Sequence, residues 1–324
     1  MAVRPGPPDD GRVRTVFLGS GAFAVPSLTA LLDAGHDVAA VVTQPDREKG
    51  RGRALAATPA KVLAEQRGVP VLQPRRIKEP AAIDELRALH PDVQVVVAYG
   101  QILPRAVIDI PRLGTVNVHS SLLPRYRGAA PIHWAVVNGE RETGVTTMLI
   151  DEGLDTGPTL LARATPIGPE ETAPELEARL GPLGAEVLLE TLEGLERGTL
   201  QPKPQDHAHA TLAPILKKED GRIDWTRGAE EIAQRVRGLL PWPGTVTTAA
   251  GADLKILRAR VEPTTTATDA PPGTVLAVDR EGLVVAAGEG TRLRLLDVQP
   301  ESRRPMSAAA FAAGARLAPG ARLV

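Results

Sequence analysis

Residues 13–35 read VRTVFLGSGAFAVPSLTALLDAG, and the fold follows from how this stretch divides. Residues 13–18 form a short apolar run that ends in Gly19-Ser20-Gly21. The residues from Ala24 have helical spacing until Gly35 stops them. The expectation is a strand, a tight turn and a helix. Working outward, residues 38–42 give a second buried strand, 59–66 a helix, 69–72 a third strand and 79–89 another helix. Residues 93–98 and 115–118 follow as strands. Continuous apolar strands, without polar/apolar alternation, argue for an α/β fold: a Rossmann-like parallel sheet with helices on both faces.

The character changes after a long Leu-rich helix expected over 172–197. Residues 198–214, with Gln-Pro-Lys-Pro-Gln-Asp-His-Ala-His, have linker composition. Beyond them come a helix over 229–239 and short strands over 254–259, 273–278, 283–286 and 291–298, the pattern of a small β-barrel. The expected organisation is a leader over 1–12, an α/β domain over 13–197, a linker over 198–214 and a smaller β domain over 215–324. A length of 324 residues agrees with two domains at roughly 150 residues each.

Composition excludes several chemistries. There is no cysteine, so disulfides, thiolate nucleophiles and Cys-based metal sites are out. The first twelve residues, MAVRPGPPDDGR, lack the apolar centre of a signal peptide and read as a disordered leader. No run approaches the ~20 apolar residues of a membrane span, so no membrane partner and a cytoplasmic location are expected. A net charge of -1 rules out a polycation that coats nucleic acid. Residues 207–324 nevertheless carry 16 Lys and Arg against 13 Asp and Glu, a surplus of three, and residues 1–206 carry 22 against 26, a deficit of four. A mildly basic C-terminal part points toward a polyanionic partner.

Gly19-Ser20-Gly21-Ala22-Phe23-Ala24 satisfies G-x-G-x-x-A between strand and helix. A nicotinamide enzyme should place an acid at the end of the second strand to hold the ribose. That strand ends in Thr43-Gln44-Pro45, so the glycines are read as a tight βα turn and no NAD is expected.

The richest stretch runs from Asn117 to Pro131, NVHSSLLPRYRGAAP. On a strand, residues two apart share a face, so Asn117 and His119 project together from a carboxyl end, where open α/β sheets bind ligands. Asp155 lies in a loop, DEGLDTG over 151–157, whose spacing does not match a calcium loop. Residue types alone leave that aspartate undecided.

The segment from Asn117 through Gly157 closely resembles the methionyl-tRNA formyltransferase branch of the folate-dependent formyltransferases. The resemblance extends over Phe17-Leu18-Gly19-Ser20-Gly21, Gln44-Pro45-Asp46-Arg47 through Gly52, Val97-Ala98-Tyr99-Gly100, Ile223-Asp224-Trp225 and Pro241-Trp242-Pro243, in order along nearly the whole chain after residue 12. It implies a catalytic trio of Asn117, His119 and Asp155, and a folate-binding turn of Ser121, Leu122, Leu123 and Pro124. A pterin ring needs an apolar slot, and the strand residues Val97 and Tyr99 are candidate neighbours for it. The resemblance also implies a barrel of the oligonucleotide-binding type at the C-terminus. The implied reaction moves a formyl group from 10-formyltetrahydrofolate to the α-amine of initiator methionyl-tRNA. An amide and an imidazole suit the oxyanion that forms, and a carboxylate suits the proton that must travel from amine to folate nitrogen. Whether Asp155 takes that proton or orients His119 stays open at this level.

Arg47, Lys49, Arg51 and Arg53 put four cations in the loop after the second strand. The resemblance implies that this loop reaches the tRNA, where phosphate contacts make binding salt-dependent. His207 and His209 form an isolated H-x-H pair in the linker, too little for a metal site, and no metal is assigned. A monomer is expected. A formyltransferase acting on an amino-sugar nucleotide is the alternative, since such enzymes share the Asn, His, Ser-Leu-Leu-Pro and Asp set.

Overall fold

A computed structural model describes residues 13–49, 54–263 and 266–324. The leader expected over 1–12 lies outside the described residues. In chain order the elements are β1 (Arg14–Gly19), α1 (Ala24–Asp33), β2 (Asp37–Val42), β3 (Arg47–Lys49), β4 (Ala54–Ala56), α2 (Pro59–Gln66), β5 (Val71–Leu72), α3 (Pro80–Ala88), β6 (Val93–Val97), α4 (Arg105–Ile108) and β7 (Thr115–His119). They continue as α5 (Pro131–Val137), β8 (Glu142–Leu149), β9 (Thr159–Pro166), α6 (Ala173–Glu196), α7 (Ala229–Gly238), β10 (Thr245–Ala249), β11 (Ala252–Val261), β12 (Val275–Asp279), β13 (Gly282–Ala286), β14 (Arg292–Pro300), β15 (Met306–Ser307) and α8 (Ala308–Ala315). The chain divides into two compact units. The first holds the described residues to Gly128, Thr143–Thr165 and Glu177–Leu212; the second holds Ala129–Glu142, Pro166–Leu176 and Ala213–Val324.

The first unit is built on a seven-stranded sheet in the order β5-β2-β1-β6-β7-β8-β9. Every residue of β1 and β6 is buried, as strands covered on both faces must be. Some of the buried polar groups there are paired: Arg14 bonds Asp37 at 2.7 Å, and Thr115 donates to the Gln94 side-chain oxygen at 3.3 Å, while Gln94 Nε2 has no partner among the described residues. The chain runs from β1 outward to β5 and returns on the other side of β1 at β6, with all these neighbours and β7 parallel. The reversal between β1 and β6 opens a crevice at their carboxyl ends. Gly19 is required there, because a Cβ would fall 2.9 Å from the Ala24 Cβ and 3.0 Å from the Val97 carbonyl.

The sheet departs from the expected all-parallel form at one edge. β8 runs antiparallel to β7, and β9 lies beyond it. β8 carries buried Thr143, Thr146 and Thr147, which hide the apolar pattern of a core strand. Their burial is tolerated because hydroxyls find partners: Thr147 with Thr191 at 2.7 Å, and Thr146 donating to the Ser121 carbonyl at 2.7 Å. β3 and β4, on either side of residues 50–53, pair antiparallel with Glu48 opposite Leu55.

In the second unit β10-β11-β14-β13-β12 form an antiparallel sheet, with β15 on β14. Leu254, Ile256, Leu283, Val285, Leu293, Leu295 and Val298 supply its core with Trp225, whose indole N–H donates to Thr247 at 3.0 Å. Helix α5 packs against α7 where Gly238 lets the backbones approach: a Cβ would sit 2.8 Å from the Val137 nitrogen. This packing groups α5 with the residues after 213, although its neighbours in sequence belong to the first unit.

Candidate active site

Asn117 and His119 stand two apart on β7, opposite Val96 on β6 and Thr146 on β8 respectively. His119 is buried, with its side chain 6% exposed. Its Nε2 lies 2.9 Å from the Tyr126 carbonyl, which can only accept, so Nε2 carries the ring proton of the neutral imidazole. Nδ1 then faces the Asp155 carboxylate, 3.7 Å from Oδ2. That oxygen accepts the Gly128 backbone N–H at 2.8 Å. The Asn117 side chain is half-buried and has no hydrogen-bond partner among the described residues. Imidazole, carboxylate and amide therefore belong to one end of the sheet, with the first two placed by backbone groups of the 126–128 turn.

Two residues that face the His119 ring sit at positive φ without being glycine: Tyr126 at 61° and Asp155 at 51°. Ala98, just beyond β6, does so at 46°. Such conformations cost about 1–2 kcal/mol for a residue with a Cβ and persist only where surrounding contacts over-determine them. Three of them lie here, at the carboxyl ends of β6 and β7 and in the loop of the carboxylate.

The Ser121–Pro124 turn is locked internally. The buried Ser121 hydroxyl donates to the Arg125 carbonyl at 2.7 Å, the Leu123 N–H donates to Thr146 Oγ1 at 3.1 Å, and the Leu123–Pro124 peptide is cis. Leu122, Leu123 and Pro124 remain half-buried. Val97 is fully buried. The Tyr99 side chain packs in an apolar cluster with Val16, Val42, Ile77 and Leu103, and burial pushes its hydroxyl up to about 12. Leu154, in the loop of the carboxylate, and Ile102, which no sequence motif flags, are exposed apolar side chains.

A cleft of ≈ 400 Å³ opens at the carboxyl ends of β1, β2 and β6, lined by Ser20, Gln44, Arg47, Thr58 and Gly100 among others. The turn after β1 is closed by side chains: Ser20 donates to the Tyr99 carbonyl and accepts from Thr43 and the Gln44 N–H. Asp46 anchors the base of the basic loop through Lys61 and Gln73, both at 2.7 Å, and these hydrogen bonds hold its carboxyl below the usual carboxylate range. Arg47 is exposed and donates to Gln44 at 3.2 Å. Lys49 lies in β3, while Arg51 and Arg53 fall outside the described residues.

Residues 198–214, linker-like in composition, are packed along the first unit up to Leu212. Lys203 pairs with Thr159, His207 receives a hydrogen bond from Arg127 at 3.1 Å, and His209 pairs with Asp206 at 2.8 Å. The two histidines thus turn to different partners.

Residues 13–192 match the family model described as Formyl transferase, and residues 215–316 match that of Formyl transferase, C-terminal domain. The chain belongs to the formyl transferase family. Within it, the chain is 55% identical over 311 residues to the methionyl-tRNA formyltransferase of Solibacter usitatus, covering 96% of this chain and 98% of that one. It is 51% identical over 309 residues to the methionyl-tRNA formyltransferase of Geobacter metallireducens, covering 95% and 97%. Solved structures resemble it more remotely. An N-formyltransferase from Helicobacter canadensis, in complex with folinic acid and dTDP-3-aminofucose, superimposes with a TM-score of 0.67 at 17% identity, over 89% of this chain and 99% of that one. HypX from Aquifex aeolicus with tetrahydrofolic acid gives 0.64 at 19% identity, over 94% of this chain and 47% of that one.

Proposed function

We propose that the chain transfers the formyl group of 10-formyltetrahydrofolate to the α-amine of methionyl-initiator tRNA, giving N-formylmethionyl-tRNA for translation initiation. The observation that carries the reading is the His119–Asp155 pair, 3.7 Å apart, at the mouth of the sheet in a chain 50–55% identical over nearly its full length to proteins named methionyl-tRNA formyltransferase.

The chemistry follows from the donors available. The neutral amine attacks the formyl carbon, and charge collects on the formyl oxygen. The Asn117 amide has N–H groups not committed elsewhere among the described residues and is assigned to that oxygen, a contact commonly worth about 3 kcal/mol. One His119 proton is already given to the Tyr126 carbonyl, so the ring nitrogen that can exchange a proton is Nδ1. As the tetrahedral intermediate forms, the amine proton passes to Nδ1, and the Asp155 carboxylate supplies compensating charge. The same proton returns to N10 of the folate as the C–N10 bond breaks, so the enzyme ends as it began.

The folate is assigned to the Ser121–Pro124 turn, whose half-buried Leu122, Leu123 and Pro124 with exposed Leu154 provide an apolar wall for a pterin. The wall is rigid because Ser121 and Thr146 hold the turn from within. Val97, fully buried at the end of β6, is kept as a neighbour of the folate slot. Tyr99 is kept as a folate neighbour because it lines the cleft at the carboxyl ends of β1, β2 and β6, although the lining of that cleft includes neither the Ser121–Pro124 turn nor the trio. Residues 13–197 then carry the chemistry. The cations Arg47, Lys49, Arg51 and Arg53, with the basic domain over 215–324, grip the tRNA. No helix among the described residues is long and apolar enough to cross a membrane, and the reading takes the protein as a cytoplasmic monomer.

Labelled 10-formyltetrahydrofolate offered with methionyl-initiator tRNA, and separately with an amino-sugar nucleotide, tests the reading. Label is expected on the aminoacyl-tRNA and not on the sugar. The reverse result replaces this function with formylation of a sugar amine.

A further inference from the structure

Gln205 is nearly buried, at 8% exposure, in a segment of linker composition, and its amide is saturated. Both Nε2 hydrogens are given to backbone carbonyls, of Asp155 at 2.8 Å and of Gly157 at 2.7 Å. Oε1 accepts from Arg127 twice, from Nε at 3.2 Å and from Nη2 at 2.7 Å. Arg127 is itself buried and sits between two residues that place the reactive pair: the Tyr126 carbonyl accepts from His119, and the Gly128 N–H donates to Asp155. One side chain therefore ties the loop that bears the carboxylate to the turn that holds both carboxylate and imidazole.

A second residue of the segment acts on the same turn. Thr211 Oγ1 accepts the Tyr126 N–H at 2.8 Å, its carbonyl accepts the Arg127 N–H at 2.8 Å, and its own N–H donates to the Pro124 carbonyl at 3.3 Å. Between them, Gln205 and Thr211 hold Asp155 and Tyr126, the two positive-φ residues on which the imidazole and carboxylate depend. Without such partners those backbones have lower-energy conformations available.

We infer that Gln205 is a positioning residue for formyl transfer, and that residues 203–211 form a strap that fixes the spacing of His119 and Asp155. The inference rests on the reaction proposed above. The residue type is dictated by the partners. Two carbonyls demand two donors, a guanidinium demands an acceptor, and among side chains of this size only a carboxamide offers both in one plane. Glutamate keeps the Arg127 hydrogen bonds and forfeits both carbonyl partners; methionine keeps the volume and forfeits them all. A displacement of about 1 Å between reacting groups can cost on the order of 100-fold in rate.

The test compares the full-length parent with Gln205→Glu, Gln205→Met and Thr211→Val, and with Gln201→Ala as an exposed control in the same segment. Initial rates with 10-formyltetrahydrofolate and methionyl-tRNA are measured across pH, beside equilibrium binding of each substrate. The expected result for both Gln205 variants is a kcat about 10- to 100-fold lower, a shifted limb in the kcat–pH profile, and KM values within threefold of the parent. Thr211→Val is expected to follow in the same direction with a smaller loss, and Gln201→Ala to match the parent. Folded Gln205 variants with kcat within twofold and an unmoved pH profile overturn the inference. If neither Gln205 variant folds, Thr211→Val decides: an unchanged kcat and profile overturn it. A parent that does not formylate methionyl-tRNA at all defeats the functional reading and the inference with it, whereas an active parent with equally active variants defeats the inference alone.

Discussion

Oδ2 of Asp155 stands 3.7 Å from Nδ1 of His119, beyond hydrogen-bond length, and each group is anchored instead to backbone: the carboxylate to the Gly128 N–H at 2.8 Å, the ring to the Tyr126 carbonyl at 2.9 Å. The pair is spaced by its scaffold and not by mutual attraction. Nδ1 faces the carboxylate across this gap, and Nδ1 is the atom to which the proposed mechanism assigns the travelling proton.

Replacing Asp155 by Asn keeps an oxygen for the Gly128 N–H and removes the charge opposite Nδ1. Turnover is expected to fall about 100-fold or more, the usual contribution of positioned proton transfer. Affinity for tRNA and for folate should stay within threefold, as read by equilibrium binding. A rate within fivefold of the parent would remove Asp155 from the mechanism.

The basic loop is testable by salt. With Arg47, Lys49, Arg51 and Arg53 changed together to Ala, KM for methionyl-tRNA should rise while KM for the folate stays unchanged. For every phosphate no longer neutralised, the slope of log affinity against log salt should become shallower by roughly 0.9 for a duplex. A slope equal to the parent's removes the loop from tRNA binding.

In the second unit Arg294, side chain 8% exposed, bridges Glu262 at 2.6 Å and Asp279 at 2.7 Å. Its hydrogen bonds hold both carboxyls below their ordinary values of 4.5 and 3.8. A carboxyl whose folded value is depressed stabilises the fold above its unfolded value and loses that contribution as pH falls through the folded one. Stability should therefore drop as the medium is acidified below the ordinary values. Arg294→Met should lower the thermal midpoint at pH 7 and flatten its decline in acid. Parallel curves for parent and variant would show that the bridge contributes nothing.

The Tyr99 hydroxyl is buried without a partner among the described residues. With its titration pushed up to about 12, it remains a neutral, unsatisfied group at any working pH. Tyr99→Phe should raise stability by about 1 kcal/mol in denaturant unfolding and leave folate KM unaltered. A raised folate KM would mean that the hydroxyl itself meets the cofactor.

The sequence by itself determined what is local or periodic. The strand–turn–helix of residues 13–35 is legible because apolar runs and helical spacing are properties of neighbouring residues, and β1 and α1 form where they indicate. Asn117 and His119 can be placed together because two residues define a strand face. Only the tertiary structure decided the rest. β8 is hidden in the sequence, since its buried threonines look polar until Thr191 and Ser121 are seen beside them. Gln205 reads as linker because its partners lie 48, 50 and 78 positions away, and composition carries no record of which distant carbonyls an amide will meet once the chain has folded.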